Sequence, residues 1–330
     1  MLSTLNSVIT GALAMGNFGL EKAIYFQLIL LGVFVVATLV GYKLISNVPT
    51  LLHTPLMSGM NALSGVTVLG ALSASASLFK LGTAGIVLSA IFGSLAIALA
   101  MVNVVGGFMV TDRMLGMIAK KKAKGQTVIY AASAVAGAGL LAVICCMDVI
   151  AKGAGTSARD WVYLAMAIVL SLALGAVAGI VLAKKVKMIQ MPQMVALLNG
   201  LGGAASAIVG AFAMLGVGTG FDAFSTTTSV LAFAVGMITL IGSLVAAGKL
   251  HKILPQKPVV YKGHQAMTVG SLCLTLALIV VFAAIAALSG SGKIALGIDL
   301  KAFCGIMIAL LFVISGFFGY IFAIRVGGAD

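Results

Sequence analysis

Apolar runs of about twenty residues make up most of the chain, and the polar residues collect in short stretches between them. A helix crossing the hydrocarbon core of a bilayer needs ~20 predominantly apolar residues, because each adds only ~1.5 Å of rise. Runs of that length predict about nine spanning helices, over Ala23–Ile45, Leu51–Ser75, Gly82–Val110, Val128–Met147, Trp161–Ala183, Met194–Leu215, Thr227–Ala247, Met267–Leu288 and Phe303–Ile324. The fold class expected is therefore all-α, a polytopic transmembrane helix bundle. Residues 1–22 are apolar but broken by Ser3, Asn6 and Asn17, with no basic start. They read as an extracytoplasmic or interfacial segment rather than a cleavable signal peptide.

Composition sharpens the picture by exclusion. The 330 residues are 62% hydrophobic and 8% charged, with mean hydropathy +1.23. Soluble domains carry about 25% charged residues, so an aqueous globular fold is excluded. The net charge of +13 would suggest nucleic acid in a soluble protein. Nucleic-acid readers need a basic face with stacking aromatics, whereas here aromatics are 7% and the cations sit in clusters between apolar runs. Those clusters fix an orientation, since basic loops stay cytoplasmic. Lys43, the group Arg113/Lys120/Lys121/Lys122/Lys124, Lys184/Lys185/Lys187, Lys249/Lys252/Lys257/Lys262 and Arg325 fall on one side. Lys22, Lys80, Lys152, Arg159, Lys293 and Lys301 fall on the other, a split of 14 to 6 among the 20 basic residues. An N-terminus outside and a C-terminus in the cytoplasm follow.

The 41 glycines predict helices packed backbone to backbone, because small residues allow close approach in lipid. All five prolines (Pro49, Pro55, Pro192, Pro255, Pro258) map near the cytoplasmic side, where helix starts tolerate them. The four cysteines form no CxxC or Cys/His cluster with ligand spacing, so no metal site is expected. Nor is there a GxGxxG or phosphate-binding loop following a strand, so this chain is expected to bind no nucleotide cofactor itself.

Ionisable groups inside a membrane are functional candidates by default. The seven acids map to loops or termini, and none of the Lys or Arg residues falls clearly within a span. His251 and His264 read as solvated residues of a basic loop. His53 differs, lying one turn inside the second predicted helix, and histidine is the side-chain type whose reference pKa lies near neutral. Helical spacing puts His53, Met57, Asn61 and Ser64 on one stripe, and Asn199, Gly203 and Ser206 on another. Asn103 is a third intramembrane amide. Buried amides bind helices together, and amides beside a histidine also suit a water-filled proton path: imidazole exchanges the proton while amides hold water without trapping charge.

The stretch Asn47-Val-Pro-Thr-Leu-Leu-His53-Thr-Pro-Leu-Met-Ser-Gly-Met-Asn61-Ala-Leu-Ser-Gly65 resembles the alpha-side membrane helices of proton-translocating NAD(P) transhydrogenase. Gly106-Gly-Phe-Met-Val-Thr-Asp-Arg-Met-Leu115 resembles the end of that alpha portion. Ala183-Lys-Lys-Val-Lys-Met-Ile-Gln-Met-Pro-Gln-Met-Val-Ala-Leu-Leu-Asn199, Gly242-Ser-Leu-Val-Ala-Ala-Gly-Lys249 and the terminal Gly327-Gly-Ala-Asp330 resemble the beta-side membrane domain. The resemblance covers most of residues 23–330, in order. It implies alpha-like helices over 23–119, a basic cytoplasmic linker over 120–126 and truncated beta-like helices over 127–330.

The resemblance implies hydride transfer between NAD(H) and NADP(H) on partner domains, coupled to proton movement through the membrane part of a bacterial-type inner-membrane protein. His53 would then transfer protons along a path lined by Asn61, Ser64, Asn103 and Asn199. Some members carry the key histidine where this chain has Asn199. Asp330 would couple to the NADP(H)-binding domain. The expected partners are the NAD(H)- and NADP(H)-binding domains or subunits, any membrane helices carried on another chain, and a second copy in a dimer. The alternatives are a stand-alone proton-coupled transporter or channel, and an inactive membrane fragment.

Overall fold

A computed structural model describes residues 20–49, 56, 60–78, 83–118, 158–215, 223–290 and 300–327. His53, Asp330, the linker 120–126 and the predicted span Val128–Met147 lie outside the described residues. Every regular element among the described residues is helical, as the apolar runs predict. The chain divides into two compact units, Met1–His53 and Thr54–Asp330.

The first unit contributes α1, Leu20–Ser46. Its last turn carries Lys43, whose carbonyl accepts from both Ser46 Oγ and Asn47 Nδ2 at 2.9 Å. Those side chains satisfy a main-chain oxygen that a helix end leaves unpaired.

In the second unit a 3-10 turn, Asn61–Ser64, leads into α2, Gly65–Leu78. The predicted third span is longer than its apolar run. It comprises α3, Thr83–Leu88, a π turn over Ser89–Gly93, and α4, Ser94–Ile118. The π turn meets α2 at Ser75. There Ser89 Oγ donates to the Ser75 carbonyl at 3.0 Å, and a Cβ on Gly93 would overlap Ser75 Oγ. The remaining helices are α5 (Ala158–Lys185), α6 (Met191–Met214), α7 (Ala223–Leu250), α8 (His264–Gly290) and α9 (Leu300–Arg325). Pro192 stands at the first turn of α6, the place expected for it. Among the described residues six helices are long and apolar enough to cross a membrane.

In this unit α4 packs on α2, α5 and α6, while α7 packs on α6, α8 and α9. Small residues set the closest crossings, as the composition predicts. A Cβ on Gly203 would come within 2.8 Å of the Gly236 carbonyl on α7, and one on Gly319 of α9 within 2.8 Å of the Ile238 carbonyl. Apolar clusters fill the space around these contacts. Leu72, Ile97, Met101 and Ile168 join α2, α4 and α5, and Phe233, Met237, Phe282 and Met307 join α7, α8 and α9.

Three residues depart from the sequence-based expectation. Lys249 is in the last turn of α7 rather than a loop and is only 2% exposed. His264 begins α8 and is 3% exposed, not solvated. Asp112 likewise belongs to α4, near its end, with an exposed side chain.

Candidate functional site

The 3-10 turn has a direct consequence for the polar stripe. With about 3.0 residues per turn, positions i and i+3 eclipse, so Asn61 and Ser64 fall on one line. The α-helical stripe expected through Asn61 and Ser64 is thus replaced by a tighter one over this pair. The turn packs against α4. There Asn103 Nδ2 donates to Ser64 Oγ at 2.7 Å. Asn61 is 6% exposed and Asn103 1% exposed. Helix α6 reaches the same pair at Gly202, where a Cβ would overlap Asn103 Nδ2 and lie 3.2 Å from Ser64 Oγ. Two sequence-predicted residues, Ser64 and Asn103, therefore meet where the turn, α4 and α6 converge, and a third, Asn61, is buried on the same turn.

This cluster keeps hydrogen-bonding capacity in reserve. Asn61 Nδ2 and Asn103 Oδ1 are buried without a protein partner. One is a donor and the other an acceptor, so together they offer both halves of a hydrogen-bond chain. A buried polar group left unmatched costs about 1–3 kcal/mol, which makes such atoms strong sites for water.

Asn199 takes a different direction. Its Nδ2 donates to Ser243 Oγ on α7 at 3.0 Å, and its side chain is exposed on the flank of α6. Gly203, one turn on, faces Gly236, so this stripe is committed to α7. The local echo between residues 55–65 and 192–203 ends in two conformations, since Asn61 starts a 3-10 turn and Asn199 lies within a continuous α-helix. Nothing in the sequence marks Ser243, because one serine among many in small-residue helices carries no spacing signal.

At the end of the bundle carrying Lys184 and Lys185, side chains tie the helices together. Arg113 donates from Nη1 to the Ala183 carbonyl of α5 and from Nη2 to Met188 Sδ at 3.7 Å. Gln193 Nε2 donates to the Leu250 carbonyl of α7 at 2.7 Å, and its Oε1 lies 3.1 Å from His251 Nδ1. A cleft of about 420 Å³ opens here between α5, α6 and α7, with Leu182, Gln190, Leu197, Leu244 and Ile253 among its walls. Among the described residues no group of three His, Cys, Asp or Glu side chains could hold a metal ion.

A polytopic helical membrane domain with buried amides at a three-way crossing is the class of protein these features define. Over residues 113–330 the chain matches the profile of the NAD(P) transhydrogenase beta subunit, and it belongs to that family. Residues 30–120 match the 4TM region of pyridine nucleotide transhydrogenase. The chain is 44% identical over 93 residues to the second of the split alpha-subunit polypeptides of NAD(P) transhydrogenase from Rhodospirillum rubrum, covering 28% of this chain and 63% of that protein. It is 44% identical over 90 residues to the corresponding alpha-subunit polypeptide of Rickettsia prowazekii, covering 27% of this chain and 63% of that one. With NAD(P) transhydrogenase subunit alpha of Cereibacter sphaeroides the identity is 44% over 88 residues, or 27% of this chain and 16% of that protein. The chain thus spans less than two thirds of each of these relatives.

Proposed function

We propose that this chain is the proton-translocating membrane part of NAD(P) transhydrogenase. Proton movement through it is coupled to hydride transfer between NAD(H) and NADP(H), both held on partner domains. The observation that carries this reading is the Asn61–Ser64–Asn103 cluster, buried among apolar helices, with one donor and one acceptor open. Water held there forms a path that stores no charge, and His53 supplies the group that takes up and releases the proton. Asn199, bonded to Ser243, extends the polar lining along α6. Asp330 passes the change in protonation to the NADP(H)-binding partner. The chain binds no nucleotide itself, works as part of a dimeric assembly in the inner membrane, and keeps its N-terminus outside and its C-terminus in the cytoplasm.

The energy scale is adequate, since one charge crossing 100 mV supplies about 2.3 kcal/mol. His53→Ala in the assembled complex is expected to abolish proton-coupled transhydrogenation, measured as the gradient-driven reduction of NADP⁺ in sealed vesicles. Wild-type coupling in that variant would sink the assignment.

A further inference from the structure

Lys249 is among the largest fully buried side chains of the described bundle, and the proton path does not use it. Its Nζ donates to three main-chain carbonyls: Ile324, Val326 at 2.7 Å, and Lys257 at 3.4 Å. An ammonium has three N–H donors and no acceptor, so three carbonyls use its full capacity. Two of them sit at the C-terminal end of α9, where a helix leaves its last oxygens unpaired and negatively polarised. The third comes from the loop over 251–263, which also pairs directly with that end through Val259 N–H to the Ile324 carbonyl at 3.2 Å. Among the described residues no carboxylate shares the site. Among those residues its cation is matched by carbonyl dipoles.

The rest of α7 shows what this clamp connects. Ser243, the partner of Asn199, lies six residues before Lys249 on the same helix, a rise of about 9 Å. Between helices α7 and α9 the backbones touch at Gly319 and Ile238, where no side chain can intervene. Helix α9 is thus held to α7 at two levels, by backbone contact within the span and by Lys249 at the end. Any shift of α7 driven from Asn199 and Ser243 is carried to Ile324 and Val326, a few residues before Asp330.

We propose that Lys249 is a positioning residue for energy coupling, fastening the C-terminal end of α9 to the helix that lines the polar stripe of α6. The proposal rests on the proton-translocating reading above and deepens it by naming the mechanical link. Lys249 touches neither the proton nor a nucleotide. It holds the segment leading to the partner domain in register with the membrane path.

The test uses the complete complex with its nucleotide-binding partners, in sealed vesicles, recording hydride transfer and proton uptake together. Lys249→Met keeps the aliphatic stem and removes the donors. Its protons moved per hydride are expected to fall by about tenfold, the size of a typical coupling between sites. Hydride transfer with the gradient collapsed should persist, and amide exchange at 257–259 and 324–327 should quicken. Lys249→Arg, which keeps the charge but presents a planar fork, should assemble and give an intermediate ratio; it decides the matter if the Met variant does not assemble. A wild-type ratio of protons to hydride in either variant overturns the proposal, even with faster exchange, because Lys249 would then be only a staple of the fold. A parent complex that transfers hydride without moving protons overturns the functional reading, and this proposal with it.

Discussion

Asn103 donates to Ser64 across 39 positions of sequence at 2.7 Å, and Gly202 closes over the pair from a third helix. The bond joins α4 to the turn that starts α2, and the missing side chain at 202 leaves room for it. Gly202→Ala drives a methyl group into Asn103 Nδ2, too close for the amide to stay. The expected loss is about 1–3 kcal/mol, the usual cost of overpacking. Gly270→Ala, where a Cβ meets nothing within 4 Å, is the control and should stay within about 1 kcal/mol of the parent. Thermal unfolding of the two variants in lipid nanodiscs separates these outcomes; equal midpoints would contradict the crossing.

His264 gives a prediction of opposite sign. Its ring stacks on Tyr261 at 6.0 Å, and neither ring nitrogen has a hydrogen-bond partner. Replacing a buried unmatched polar group by an apolar one of similar shape is nearly neutral or stabilising. His264→Phe should therefore match or exceed the parent in thermal stability. His264→Ala, which loses both stack and volume, should fall below it by about 2–4 kcal/mol. A His264→Phe variant less stable than His264→Ala would show that the ring nitrogens are needed.

The contrast between His264 and Asn103 marks the boundary of what is legible in the sequence. Long apolar runs predict the helices, because span length is fixed by the bilayer and leaves a signal twenty residues wide. Asn103 stands out since an amide amid apolar residues is conspicuous. His264 reads as loop because it adjoins Lys262 and Gly263, yet it opens the buried stripe of α8 that continues through Ser271, Thr275, Ile279 and Phe282. Lys249 extends the stripe of Ala234, Met237 and Val245 in the same way. Both positions obey the helical period, and charge class masks that spacing. Which neighbour an amide chooses is not legible at all. Asn199 bonds Ser243, and only the crossing of α6 and α7 at Gly203 and Gly236 decides that.

The end of α7 stores a small, removable strain. Lys252 adopts φ 63°, in the left-handed region, as the chain turns so that the Ile253 and Leu254 amides donate to the Gly248 carbonyl at 2.9 and 3.0 Å. A side chain in that conformation costs about 1–2 kcal/mol, which glycine avoids. Lys252 is exposed, so its removal breaks no packing. Lys252→Gly should stabilise the protein by about 1 kcal/mol and raise its unfolding midpoint, whereas Lys252→Val should lower it. If glycine proves the less stable, the turn does not have this geometry in the membrane.

The two candidate proton sites can be set against each other. The resemblance implies that the histidine of this path can stand either in the segment holding His53 or at the position of Asn199. The Asn199 side chain is exposed on the flank of α6, and its amide is engaged by a single bond to Ser243. An imidazole there can still offer an N–H to Ser243 while its other nitrogen stays free to exchange a proton. His53→Asn should lower proton-coupled hydride transfer by about 10²-fold, the contribution of a positioned proton-transfer group. Adding Asn199→His to that variant should recover at least about a tenth of the parent rate. The measurement is gradient-driven NADP⁺ reduction by the assembled complex, with hydride transfer under a collapsed gradient as the control for assembly. Should the double variant remain as slow as His53→Asn while the control stays normal, the two positions do not serve one path, and Asn199 is left as a helix-joining amide.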